Sequence, residues 1–253
     1  MSEKKLFSKE DFISRKDREF SYSKLSTYLQ CPQRYKYQYI KGLNRERVVS
    51  YLSVGRSLHL TLKDFFRLRG PERTQERLQE IFRKRWIGRG FENNRQEKKW
   101  KDKCEKTLKN FFEEDHQNKH PIILEGNFKV NFRNLILKGT IDRVDRSSNG
   151  TFEVIDYKSF TSIEEHPPLS RELQSIFYYL GAKRHFDLQE IKITFLYLSS
   201  NEKVDATPTF TELKIGLRKI DDIISEIKST ENYPPKKNSF CSDCIFQNRC
   251  KLK

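Results

Sequence analysis

Two short stretches in the middle of the chain hold residues whose types and spacing suit phosphoryl chemistry: GlyThrIleAspArgValAsp at 139–145 and ValIleAspTyrLysSer at 154–159. In a strand, side chains alternate between faces, so Phe152, Val154, Asp156 and Lys158 project to one side. Charged groups in an otherwise apolar strand are costly to bury unless they are paired. Asp142, on the preceding predicted strand, is out of phase with Ile141 and Arg143. If the two strands are antiparallel neighbours, Asp142 and Asp156 converge at one end of the sheet. Two converging carboxylates favour a hard divalent cation between them. A protonated Lys158 cannot ligate that ion, but it can orient a metal-bound water and offset charge on a phosphoryl group. Strand pattern alone leaves open the plainer alternative, a surface ion pair between Asp156 and Lys158 on an edge strand.

The sequence Asp142…Asp156-Tyr157-Lys158 resembles the PD-(D/E)xK nuclease signature, in the form found in RecB- and AddB-type nuclease domains and in CRISPR-associated adaptation nucleases. Three further segments stand in the matching order. GlyArgSerLeuHis at 55–59 resembles the upstream histidine motif, and GlnSerIlePheTyr at 174–178 resembles the Gln-x-x-x-Tyr motif. SerTyrSerLysLeuSerThrTyrLeuGlnCysPro at 21–32 resembles the N-terminal opening of these domains. The likeness runs from about Ser21 to Cys250 and says least about the basic stretch 67–119.

The resemblance implies a restriction-endonuclease-like fold, a central mixed sheet with an αβββαβ core flanked by helices. It implies that His59, Asp142, Asp156 and the backbone carbonyl of Tyr157 hold Mg²⁺ or Mn²⁺. Lys158 then positions the attacking water, and Gln174 and Tyr178 support the site or touch the phosphate. The second acid is Asp where many relatives carry Glu, and its shorter reach bears on metal preference. Outside the resemblance, His59 also reads as an ordinary helix histidine. Tyr178, among apolar neighbours, also reads as core.

Five cysteines occur, at 31, 104, 241, 244 and 250. An odd number, with no export signal visible, argues against a disulfide framework. Cys241, Cys244 and Cys250 form a Cys-x2-Cys-x5-Cys cluster that calls for a metal centre, with Cys31 beside Pro32 as the fourth ligand. Cys104 falls on the apolar stripe of its helix and reads as a small buried hydrophobe. Iron–sulfur members of the resembled group hold a [4Fe–4S] cluster with one N-terminal and three C-terminal cysteines. Zn²⁺ is the alternative that thiolate count leaves open.

The elements that must position these groups are legible in part. Ser23–Ser26 offers an N-cap ahead of Leu25, Tyr28 and Leu29, and Pro32 suits the first turn of a second helix. Apolar stripes follow at Leu58, Leu62, Phe65 and Phe66, at Leu78, Ile81, Phe82 and Trp86, and at Trp100, Cys104, Leu108 and Phe111. After Pro121 the period changes: strands are expected over 123–132, 135–144 and 152–158, then a helix carrying Leu173, Ile176 and Leu180. A strand over 191–198 and a helix over 212–230 complete the core. Residues 1–20 read as an extension and 21–253 as one nuclease domain. Within it, 67–119 is a basic helical insertion and 231–253 a cysteine-rich tail packed with Cys31.

Composition narrows the function classes. Aromatic residues at 13% argue against a disordered chain. No apolar run reaches the roughly 18 residues of a membrane span, and no secretory h-region is visible. A cytoplasmic protein is the expectation, with no membrane partner. The net charge of +15 attracts polyanions, of which nucleic acid is the commonest. Between Arg67 and Lys109, fifteen basic and seven acidic residues carry +8 of that total.

The expected activity is a metal-dependent deoxyribonuclease, an exonuclease on single-stranded or end-bearing DNA, in repair, recombination or defence. A catalytically silent DNA-binding or scaffolding subunit of a helicase–nuclease complex is the alternative. An RNA-directed enzyme is a third, though nothing in the residues reads a 2′-hydroxyl. The chain has no Gly-x4-Gly-Lys-Ser/Thr loop, so a helicase partner would be a separate chain.

Overall fold

Strand β3 (Leu135–Arg146) is the axis of a six-stranded mixed sheet. It pairs antiparallel with β2 (Pro121–Phe132) along nearly its whole length. On its other side it meets two different strands in turn. Strand β1 (Glu19–Ser21) runs parallel to Ile136–Lys138, and β4 (Phe152–Lys158) runs antiparallel to Arg143–Arg146. Strand β5 (Ile191–Tyr197) lies parallel to β4, and β6 (Glu202–Asp205) closes the order antiparallel to β5. This computed structural model describes residues 18–43, 48–114, 119–160, 168–250 and 252 of the chain. Residues 1–17, most of the expected extension, lie outside the described residues.

Helices cover both faces, which is why β4 and β5 read as largely apolar runs broken by a few polar and charged residues. One face packs Val154, Ile193, Phe195 and Tyr197 against α1 (Tyr22–Gln30), α6 (Pro168–Leu180) and α7 (Phe210–Ser229). The other packs Ile155, Tyr157, Leu196 and Leu198 against α3 (Ser50–Arg67), α4 (Gln75–Arg85) and α5 (Asn94–Glu113). Short α2 (Pro32–Tyr35) follows α1 directly, with Pro32 in its first turn. The helix starts are chemically marked. Ser21, Thr74 and Asn93 accept from the backbone N–H groups of Lys24, Arg77 and Gln96, and Thr209 and Glu212 form a capping box.

The fold is the mixed, helix-flanked sheet expected from the sequence. Strands β1 and β6 were not anticipated: with three and four residues, they are too short to show a period. The final residues of the expected extension therefore belong to the sheet. The C-terminal segment returns to the start of the chain, where Gln33 N–H donates to Pro234 O and Asn238 Nδ2 donates to Gln30 O at 2.9 Å. Among the described residues no helix is long and apolar enough to cross a membrane.

Candidate active site

The ladder between β3 and β4 reaches as far as Arg143 and Ile155. One step further Asp142 would face Asp156, and there the regular pairing gives way to side-chain chemistry. The Tyr157 N–H donates to Asp142 Oδ2 at 2.9 Å. The Tyr157 carbonyl faces His59 Nε2 at 3.1 Å, and His59 Nδ1 lies 3.3 Å from Asp142 Oδ1. His59 comes from the middle of α3. Asp142, the Tyr157 carbonyl and His59 thus surround one small volume, with both ring nitrogens of the histidine against oxygens.

Glu125 completes this group. One ligand atom each from His59, Glu125 and Asp142 lies within 4.8 Å of the others. Sequence reasoning did not single out Glu125. The available signal was a carboxylate followed by glycine directly after the apolar run Ile122–Leu124. Its backbone sits at φ 52°, a left-handed conformation that few non-glycine residues adopt and that tends to occur at functional sites.

Asp156 belongs to an adjoining set. Its Oδ1 accepts from Gln174 Nε2 at 3.1 Å and from the Tyr178 hydroxyl. Lys158 Nζ donates to Gln174 Oε1 at 2.7 Å and lies 2.6 Å from Asp156 Oδ2. Gln174 Nε2 also reaches the Tyr178 oxygen at 2.8 Å. Gln174 and Tyr178 act together because residues four apart share one face of α6. Tyr178, although buried, is bonded to the acid rather than being plain core.

The two acids are electrostatically distinct. Burial raises the proton affinity of Asp142, but the charge and hydrogen bond of His59 outweigh it and hold the carboxyl below the usual range. Burial pushes Asp156 up; the Lys158 ammonium opposes this and the Asp142 charge adds to it. Burial would lower His59, yet the Asp142 charge and hydrogen bond prevail and raise it to about 9. The metal-free imidazole is therefore a cation donating to two oxygens.

On the face of the sheet that α3 covers, Arg143 is buried with 1% of its surface exposed. It donates to the Tyr157 hydroxyl at 2.7 Å, pairs with Asp145 at 3.0 Å and lies 4.2 Å from the centre of the Phe66 ring. From sequence it read only as a charged strand residue. Its place behind Tyr157 emerges from the fold.

The cysteines form a separate centre. Cys31, Cys241, Cys244 and Cys250 line one pocket of about 230 Å³ between α1–α2 and the C-terminal segment. The Asn238 N–H approaches Cys241 Sγ at 3.3 Å. Cys104 is fully buried on α5, and burial pushes its thiol up to about 12.

The family description of the PD-(D/E)XK nuclease superfamily matches residues 19–251. The chain belongs to the PD-(D/E)XK nuclease superfamily. The match takes in this PD-(D/E)XK chain from β1 through the basic helices to the cysteine pocket. Among solved structures it is similar to one called "Putative exonuclease" from Eubacterium rectale, at 12% identity and TM-score 0.55, covering 98% of this chain and 94% of the other. A second, SSO0001, gives 15% identity and TM-score 0.44, covering 93% and 87%. No curated protein matches the sequence. At these identities the structural likeness concerns the fold alone.

Proposed function

We propose that this nuclease is a Mg²⁺- or Mn²⁺-dependent deoxyribonuclease that acts as an exonuclease on single-stranded or end-bearing DNA, in repair, recombination or defence. The observation that carries the reading is the junction of two groups of side chains. One ligand atom each from His59, Glu125 and Asp142 lies within 4.8 Å of the others beside the Tyr157 carbonyl, and Lys158 stands next to them on Asp156. The donor set is carboxylate, carbonyl and imidazole, suited to Mg²⁺ or Mn²⁺. Asp156 Oδ2 is buried against the Lys158 ammonium at 2.6 Å, which keeps the carboxylate and the lysine side by side at the edge of this group. His59, Glu125, Asp142, Asp156 and the Tyr157 carbonyl would hold the ion. Such an ion supplies a water of lowered pKa and neutralises charge on the phosphoryl oxygens.

The chain's own groups have definable roles. Gln174 and Tyr178 lock the Asp156 carboxylate in place, and Gln174 Oε1 aims the Lys158 ammonium. That ammonium can orient the attacking water and offset charge on the scissile phosphate. The basic helices α4 and α5 draw the polyanion in, so affinity should fall steeply with salt.

The cysteine pocket is part of the same proposal, as the seat of a [4Fe–4S] cluster. A single tetrahedral Zn²⁺ needs sulfurs about 3.8 Å apart, from Zn–S bonds of about 2.3 Å. Cys31, Cys241, Cys244 and Cys250 around one pocket could serve either centre, and the resemblance to iron–sulfur members of the group is what supports the cluster.

The test is an anaerobic preparation assayed on labelled single-stranded and duplex DNA with Mg²⁺, Mn²⁺ or EDTA. Cleavage should require the ion and disappear in Asp156→Asn and Lys158→Ala while DNA binding persists. Cleavage that survives both substitutions defeats the reading. Binding without any cleavage by the wild type points instead to a silent subunit.

A further inference from the structure

The interruption along β3 has a use beyond housing the catalytic groups. β1 accompanies β3 only as far as Lys138, and β4 joins it only at Arg143. Between them, Gly139–Asp142 have no strand partner on that side among the described residues. A cavity of about 740 Å³ opens at this gap. Tyr22 and Ser23 at the start of α1, Lys138 and Thr140 of β3, and Gln174 and Tyr178 of α6 all line it.

Gln174 and Tyr178 are also the two residues that hold Asp156. The cavity therefore adjoins the candidate catalytic centre across these two side chains. Its volume falls within the range of about 300–1,000 Å³ that encloses small ligands. That is room for about one or two nucleotides of a single strand rather than a whole duplex. The lining has both features that recognise a single strand. Lys138 is cationic, although it shares the Glu19 carboxylate with Lys129, and Ser23 presents an exposed hydroxyl. Tyr22 supplies a partly buried aromatic surface for a base.

We infer that this cleft seats one strand of DNA beside the scissile phosphate and thereby confines the enzyme to single strands and frayed ends. The inference rests on the nuclease reading for what the strand is and adds where it lies.

The test measures the binding of fluorescein-labelled octathymidylate by anisotropy in EDTA, so that nothing is cut, beside a blunt duplex of equal length. The wild type should bind the single strand more tightly. Ser23→Asp places a negative charge in the cleft, where a like-charge contact with phosphate should weaken binding about tenfold or more. In the first turn of α1 an acid favours the helix, so its melting temperature should stay level or rise. Tyr22→Ala should lose about 5- to 150-fold, the span of one stacked base.

A Ser23→Asp affinity within about threefold of wild type, or equal binding of the duplex, overturns the inference. Should Ser23→Asp lower the melting temperature, Lys138→Gln decides by the same threshold. Wild-type cleavage in Mg²⁺, assayed separately, keeps the two proposals apart. Loss of cutting with the cleft effects intact sinks only the nuclease reading, and cutting with no cleft effect sinks only the cleft.

Discussion

Arg143 and Tyr157 hold each other on the face of the sheet that α3 covers: the guanidinium donates to the phenol oxygen at 2.7 Å, while the carbonyl of the same tyrosine faces His59 of α3 at 3.1 Å. A side-chain anchor in the core thus immobilises a backbone oxygen at the candidate metal site. Groups around a metal site work this way, orienting ligands they do not themselves provide.

Removing that anchor should be costly. Arg143→Ala leaves Asp145 buried without its partner, and breaking such a pair typically costs about 3–5 kcal/mol. Tyr157→Phe leaves a buried guanidinium N–H without its acceptor, at about 1–3 kcal/mol. Urea denaturation of both variants measures this directly. Values near zero would mean that the Arg143 cluster does not support the site.

His59 predicts a pH dependence whose sign follows from its raised pKa. The folded value is about 9 against an ordinary value near 6.5, so its contribution to the metal-free protein is complete below about 6.5. It is lost as pH rises towards 9. The difference in melting temperature between wild type and His59→Asn, followed in EDTA, should shrink over this window. Mn²⁺ affinity should rise over the same window, because the ion must displace a proton. A Mn²⁺ affinity unchanged across it would remove His59 from the ligand set.

Glu125 sets ligation against strain. Glu125→Gly relieves the left-handed backbone, which costs on the order of 1–3 kcal/mol for a non-glycine residue. The variant should melt higher yet bind Mn²⁺ more weakly. Glu125→Gln keeps the strain and should weaken the metal alone. Calorimetric titration paired with thermal melts separates these effects, and wild-type Mn²⁺ affinity in both variants would exclude Glu125 as a ligand.

Cys244→Ser should lose iron and sulfide from anaerobically prepared protein and lower its thermal stability. The centre would join segments some 210 residues apart along the chain, and closing so long a loop restricts the unfolded state. Full zinc occupancy with no iron in fresh protein would replace the cluster with a zinc site.

Local periodicity carried much of the fold. The alternation of Phe152, Val154, Asp156 and Lys158 named a strand and its faces, and the ladder with β5 begins and ends on those limits. The four-residue spacing of Gln174 and Tyr178 put both on one helix face, where both meet Asp156. The apolar stripes through Leu58, Leu78 and Leu108 named helices that do pack on the sheet. These features depend on backbone geometry within a few residues, and so one sequence contains them.

What the chain could not announce arises from contacts distant in sequence. β1 exists because Glu19–Ser21 finds the edge of β3 more than a hundred residues later, and its three residues show no pattern of their own. Glu125 and Arg143 look like ordinary charges until strand pairing sets one beside His59 and the other behind Tyr157. The open stretch of β3 between two partners is likewise a product of sheet order. The sequence by itself determined which residues could take part and which neighbours share a face. The tertiary structure decided which acid faces the histidine, which faces the lysine and where a strand could enter, because only chain pairing brings such distant groups into one volume.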